Sequence, residues 1–140
     1  MKESYYSVFG GVCTVNFAYT HKGAVHYSDL IKVSVATDSG EVLSVDARGY
    51  LMNHTKRDIY QEKITLSQAK KIIPKELKIL SEKSAVIPLD TGKEAYCYEF
   101  HCEDKNNQEV LIYIDKVTGE EKDILILLYA DFIKICQKRD

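Results

Sequence analysis

The chain has 140 residues, 29% charged and 45% hydrophobic, with a formal net charge of −2. That length suits one ordinary domain or two small ones, and its scattered lysines and arginines leave no basic stripe to neutralise phosphates, which argues against nucleic-acid binding. No apolar run approaches the roughly 20 residues of a membrane helix; Met1-Lys2-Glu3-Ser4 lacks the apolar core of a signal peptide, so any export signal is expected in sequence outside this chain.

The first half reads as strands. Val15, Phe17 and Tyr19 alternate with Asn16 and Ala18, Ile31, Val33 and Val35 with Lys32 and Ser34, and Leu43, Val45 and Ala47 with Ser44 and Asp46. Gly10-Gly11, Lys22-Gly23 and Asp38-Ser39-Gly40 supply the positive-φ positions of tight connections, so an antiparallel meander is expected. The polar stretch 50–63 reads as the boundary between two modules, with a helical turn at Tyr50–His54. Ile64-Thr65-Leu66-Ser67-Gln68-Ala69 then carries a capping box, in which Thr65 caps the helix start and Gln68 reaches back. Leu66, Ala69, Ile72 and Ile73 share one face, and Pro74 stops the element, so one clear helix over Leu66–Ile73 should lie on a sheet. Strands follow at about Leu77–Pro88, Glu94–Cys102, Glu109–Asp115 and Asp123–Tyr129.

The halves repeat one pattern. The block Tyr5–Tyr19 aligns without a gap on Val86–Phe100, bringing Gly11 onto Gly92, and Lys32–Glu41 aligns on Leu111–Glu120, bringing Gly40 onto Gly119. One supersecondary unit used twice is the economical explanation. The expected fold class is therefore α+β, two antiparallel β-meanders with one clear helix packed on the second sheet. Repeat one covers 1–60 and lacks an N-terminal helix; repeat two covers 61–140. A sheet without its helix leaves an apolar face near Phe17, Val33 and Val45, where self-association or docking is expected.

Candidate chemistry was weighed residue by residue. Cys97, Glu99 and His101 share a face of one strand, the densest group of metal-type ligands, but no paired-ligand motif supports zinc, and neither metal nor organic cofactor is expected. The four cysteines show no CxxC pair; sequence alone cannot pair them, and buried free thiols are the expectation. His21, His26 and His54 read as isolated and exposed. Glu41, Glu94, Glu99, Asp115, Glu120 and Glu121 include no pair fixed on a common cleft and read as solvated charges. No catalytic residue is assigned. Ten tyrosines with no tryptophan fit strand formation, with a remainder free to line a binding face; Tyr5, Tyr6, Arg48, Tyr50, Met52 and His54 are the partner-binding candidates.

Two sets of residues carry a family resemblance. The capped helix and the hairpin Tyr113-Ile114-Asp115-Lys116-Val117-Thr118-Gly119-Glu120 resemble the PepSY domain. Val8-Phe9-Gly10-Gly11 with Val15–Tyr19, His26–Val33, Ala47–His54 and Ile87–Glu94 resemble the C-terminal tandem PepSY region of YpeB-type spore germination proteins. The resemblance implies a non-catalytic protein-binding module that holds, stabilises or inhibits a SleB-type cortex-lytic enzyme until germination. It also implies a place on the extracytoplasmic side of the spore inner membrane or in the cortex, with an anchor in N-terminal sequence not present here. The competing expectation is a domain that binds or cleaves cortex peptidoglycan directly.

Overall fold

The computed structural model describes residues 1–127 and 133–134. The described chain is mostly sheet with two short helices, and it forms two compact units. One is Met1–Thr55, which takes in a short strand at Ile133–Lys134; the other is Lys56–Leu128.

In the first unit, β1 (Lys2–Phe9), β2 (Val12–His21), β3 (Ala24–Ala36) and β4 (Val42–Asp46) form an antiparallel meander. Its first two connections have two residues each, Gly10-Gly11 and Lys22-Gly23, all at positive φ (57°, 76°, 50° and 74°). That geometry matches the right-handed twist of the flanking strands, which is why glycine recurs there. The helix α1 (Arg48–Asn53) follows β4 and packs on β3. After α2 (Leu66–Ile72), the second unit repeats the meander with β5 (Lys78–Pro88), β6 (Glu94–Glu103), β7 (Glu109–Asp115) and β8 (Glu121–Leu127). The strand β9 (Ile133–Lys134) pairs antiparallel with β1.

The capping box forms as the sequence requires. Gln68 N donates to Thr65 Oγ1 at 3.2 Å and Thr65 N to Gln68 Oε1 at 2.9 Å, satisfying two donors that a helix start leaves open. Ala69 and Ile73 are buried in one hydrophobic core with Tyr98, Phe100, Cys102, Ile112 and Ile114, joined by Ile64, Leu66, Leu77, Ile79 and Val110. Ile72, assigned to this face from its spacing, is instead 44% exposed, because at 3.6 residues per turn it falls at the edge of the arc that Leu66, Ala69 and Ile73 define. The expectation of a single clear helix also changes, since the turn after β4 closes into α1.

The repeat holds at the level of pattern but not of pairing. The last hairpin turns correspond: Gly40 N donates to Ala36 O and Ala36 N to Glu41 O, as Gly119 N does to Asp115 O and Asp115 N to Glu120 O. Between the middle strands, however, Val33 faces Val15, whereas its counterpart Ile112 faces Phe100, which the alignment equates with Tyr19. The connections explain the slip. β2 and β3 run on to a two-residue turn, while β6 and β7 part early around the Asp104–Gln108 loop, closed by Asp104 N to Gln108 O. Because the slip is even, each side chain keeps its face.

Candidate functional site

The elements of the first unit converge on α1. Ala18 pairs with Leu30 but Tyr19 with His26, so the register steps over Tyr27, Ser28 and Asp29, which form a bulge in β3. Bulges re-aim side chains, and this one turns Asp29 inward to 0% exposure. There its carboxylate accepts a hydrogen bond from His54 Nδ1 at 2.8 Å, from the residue that caps the C-terminus of α1. The His54 ring stacks on Tyr50 (4.4 Å between centroids, 14° between planes) and meets Tyr19 edge-on at 4.5 Å. His26, fully buried, lies 5.1 Å from the same Tyr19 ring, with Nδ1 3.1 Å from the carbonyl oxygen of Ala24. Asn53 Nδ2 donates to Ser28 O at 2.9 Å, and a Cβ on Gly49 would stand 3.1 Å from the Leu30 carbonyl oxygen, so only glycine lets α1 lie this close to β3.

So clamped, α1 presents its other side to water. Leu51 is 75% and Met52 83% exposed. Arg48 also projects outward, its guanidinium bonded to Asp46 through Nε and Nη2 (3.0 and 2.7 Å) while its backbone N donates to the same carboxylate. These bonds from Arg48 hold the Asp46 carboxyl far below the usual carboxylate range.

Of the residues proposed from sequence, Arg48 and Met52 lie exposed on the outer side of α1, whereas Tyr50 and His54 hold α1 in place. Tyr5 and Tyr6 do not join them. They sit half-buried on β1, where Tyr6 pairs with Val15 and Tyr5 with Asn16, on opposite faces of the sheet. The histidines expected to be isolated are brought together around Tyr19, and Asp29 went unnoticed because a bulge has no period to betray it.

The second unit carries its own polar cluster. Lys116, 1% exposed, lies over the rings of Tyr96 (4.1 Å) and Tyr98 (4.5 Å) and donates to Glu62 Oε1 and Ser84 Oγ, both at 2.7 Å. Burial pulls its pKa down, but the bonds to Glu62 and Tyr96 outweigh that and raise it. Glu62 in turn is lowered, chiefly by its bond from Lys116. The backbone around it explains the Asp-to-Thr-Gly-Glu turn: Asp115 Oδ1 accepts from Val117 N (2.7 Å) and Thr118 N (3.0 Å), Gly119 takes φ 75°, and Lys116 O accepts from both Lys63 N and Ile64 N.

The triplet on β6 does not gather as a ligand set. Cys97 is buried, and desolvation with the nearby Asp115 charge pushes its thiol up to about 12. Glu99, expected in solvent, is 1% exposed, bonded by Tyr113 Oη at 2.6 Å and Lys83 Nζ at 3.1 Å, while His101 Nε2 lies 3.0 Å from Glu109 Oε2. Among the described residues no three His, Cys, Asp or Glu side chains are placed to hold a metal. Cys13, Cys97 and Cys102 are free thiols; Cys136 lies outside the described residues.

Two meanders with a capped helix and an Asp-turn hairpin define a PepSY-type protein. Residues 63–125 match the family model described as peptidase propeptide and YPEB domain, and residues 1–60 match that of the YpeB sporulation PepSY1 and PepSY2 domains. The chain belongs to the YpeB family, as a C-terminal PepSY region. It is 32% identical to sporulation protein YpeB of Halalkalibacterium halodurans over 83% of this chain and 26% of that protein. To the Bacillus subtilis protein of the same name it is 33% identical, over 75% of this chain and 23% of that one. The chain thus spans about a quarter of the length of the curated relatives it matches. The solved Bacillus megaterium YpeB C-terminal domain superposes with a TM-score of 0.81 at 28% identity, covering 90% of this chain and 56% of that one. No helix among the described residues is long and apolar enough to cross a membrane.

Proposed function

We propose that this chain is a non-catalytic protein-binding module of a spore germination protein, working on the extracytoplasmic side of the spore inner membrane. Its partner in this reading is a SleB-type cortex-lytic enzyme, which it holds, stabilises or inhibits until germination. The sporulation role named for the relatives supports the setting. The observation that carries the binding reading is α1: Tyr50 and His54 fix it against Tyr19 and Asp29, so Leu51 and Met52 are held out to solvent without side-chain anchors of their own. A rigid turn with two large exposed apolar side chains loses little freedom on binding, which favours its use as a contact.

Titration of the chain into the purified lytic enzyme tests this directly. Saturable binding is expected, weakened at least tenfold by Leu51→Ser with Met52→Ser at an unchanged melting temperature. Turnover on cortex peptidoglycan and survival to protease, measured on the same mixture, separate inhibition from stabilisation. Release of soluble cortex fragments by the chain alone would refute the non-catalytic reading.

A further inference from the structure

The outer side of α1 carries charge as well as apolar surface. Arg48, Leu51 and Met52 stand at positions i, i+3 and i+4 of one helix, a spacing that brings side chains to one face with Cβ atoms about 5–6 Å apart. Gly49, Tyr50 and Asn53, with the cap His54, turn the other way, against Leu30, Tyr19, Ser28 and Asp29. The Arg48 side chain is 86% exposed, and Asp46 holds its guanidinium along one edge only, through Nε and Nη2. A guanidinium has five N–H donors in a fixed plane. Both donors of Nη1 and one of Nη2 therefore remain, and Arg48 has no second acceptor among the described residues. Nor does the local charge cancel. Lys32, exposed and directly across the strand pair from Asp46, acts on the same carboxylate, so one anion serves two cations.

Building on the protein-binding role proposed above, we propose that the outer face of α1 recognises a carboxylate set beside an apolar hollow on the partner protein, with Arg48 taking the carboxylate and Leu51 and Met52 filling the hollow. The edge of the guanidinium between Nη1 and Nη2 is a planar two-donor fork, the form that a carboxylate matches with two parallel bonds. Asp46 fixes the plane of that fork before any partner arrives, so less side-chain freedom is lost on binding. It does so from the Nε edge, which keeps the two carboxylates apart. The uncancelled positive charge favours an acidic contact over a basic one. The apolar pair favours a protein surface over a small free anion, which would leave Leu51 and Met52 uncovered.

The test titrates the full chain into the purified cortex-lytic enzyme at about 0.05 M and about 0.5 M sodium chloride, since salt screens exposed charges and leaves apolar contacts in place. Wild-type affinity should fall about fivefold or more between the two, and Arg48→Ala should bind about tenfold more weakly at low salt and lose that salt dependence. Arg48→Lys keeps the charge without the fork and should fall between them. Asp46→Ala breaks the same intramolecular bonds but keeps the cation, so its binding should stay salt-dependent. Lys75→Ala, the same loss of charge at an exposed residue of the second unit, should bind as wild type does. Circular dichroism and thermal melting check the folding of each variant. Binding unmoved by Arg48→Ala, or a salt dependence lost equally in Asp46→Ala, would overturn the inference while leaving the Leu51 and Met52 contact standing. Absence of any wild-type binding would overturn the partner assigned above, and the inference with it.

Discussion

Removing Glu62 or Lys116 should have unequal costs, because one end of this ion pair is wet and the other dry. Glu62 is 52% exposed and Lys116 2% by side chain. Glu62→Ala leaves the ammonium its bond to Ser84 and its two tyrosine rings, and the lost carboxylate was largely solvated, so the cost is about 1–2 kcal/mol, below the 3–5 of a fully buried pair. Lys116→Ala removes the buried stem as well as both cation–π contacts and should cost about 3–4 kcal/mol. Lys116→Met keeps the stem and discards the charge, and with it the desolvation penalty, so it should fall between the two. Urea unfolding followed by circular dichroism gives all three values. The pH dependence has a definite sign: the Glu62 carboxyl is lowered in the fold from its ordinary 4.5, so its contribution is complete above about that pH and is lost as pH falls through the lowered value. Lys116 is raised, so its contribution is complete below its ordinary 10.5 and is lost as pH climbs through the raised value. If Lys116→Met is as costly as Lys116→Ala, the ammonium rather than its stem holds the site together. A Glu62→Ala cost that persists undiminished at pH 3 would refute the ion-pair account.

Other perturbations follow from single contacts. Thr65→Ala should cost about 1 kcal/mol by opening the capping box, and Leu66→Asp more, because it sets an unpaired charge against the α2 core; equal, negligible effects in denaturant would mean that α2 does not dock. Gly49→Ala should destabilise the first unit by about 1–2 kcal/mol, since its Cβ meets the Leu30 carbonyl oxygen at 3.1 Å, and should loosen the Tyr50–His54 stack, seen as shifted histidine ring resonances. Desolvation and the Asp115 charge push Cys97 up to about 12, and desolvation pushes Cys102 to about 11, so at pH 8 both should react with a thiol reagent far more slowly in the folded chain than in urea. Equal rates in the two states would contradict their burial.

Local rules account for what was legible beforehand. The Lys22-Gly23 turn, the Thr65–Gln68 capping box and the Asp115-to-Glu120 hairpin are written within a few residues of themselves, and each forms as read. Strand alternation likewise assigned Phe17, Ile31 and Val33 to apolar faces. The family signature is of the same kind, because its turn is stabilised by Asp115 bonding its own next residues.

What the sequence by itself determined, then, is which side chains share a face and where the chain turns, since a period of two and a positive φ are properties of a short segment. The tertiary structure decided which strand residue meets which, how far each face is covered, and which charges lose their water. Val33 meets Val15 while its counterpart meets Phe100, because register depends on where each loop lets its strands part. Asp29 reaches His54 through a bulge 25 residues away in sequence, and Lys116 reaches Glu62 across 54. Alternation marks the faces of Glu99 and Phe17 alike, but burial is settled by what lies on top of them, and that is contributed by residues far along the chain.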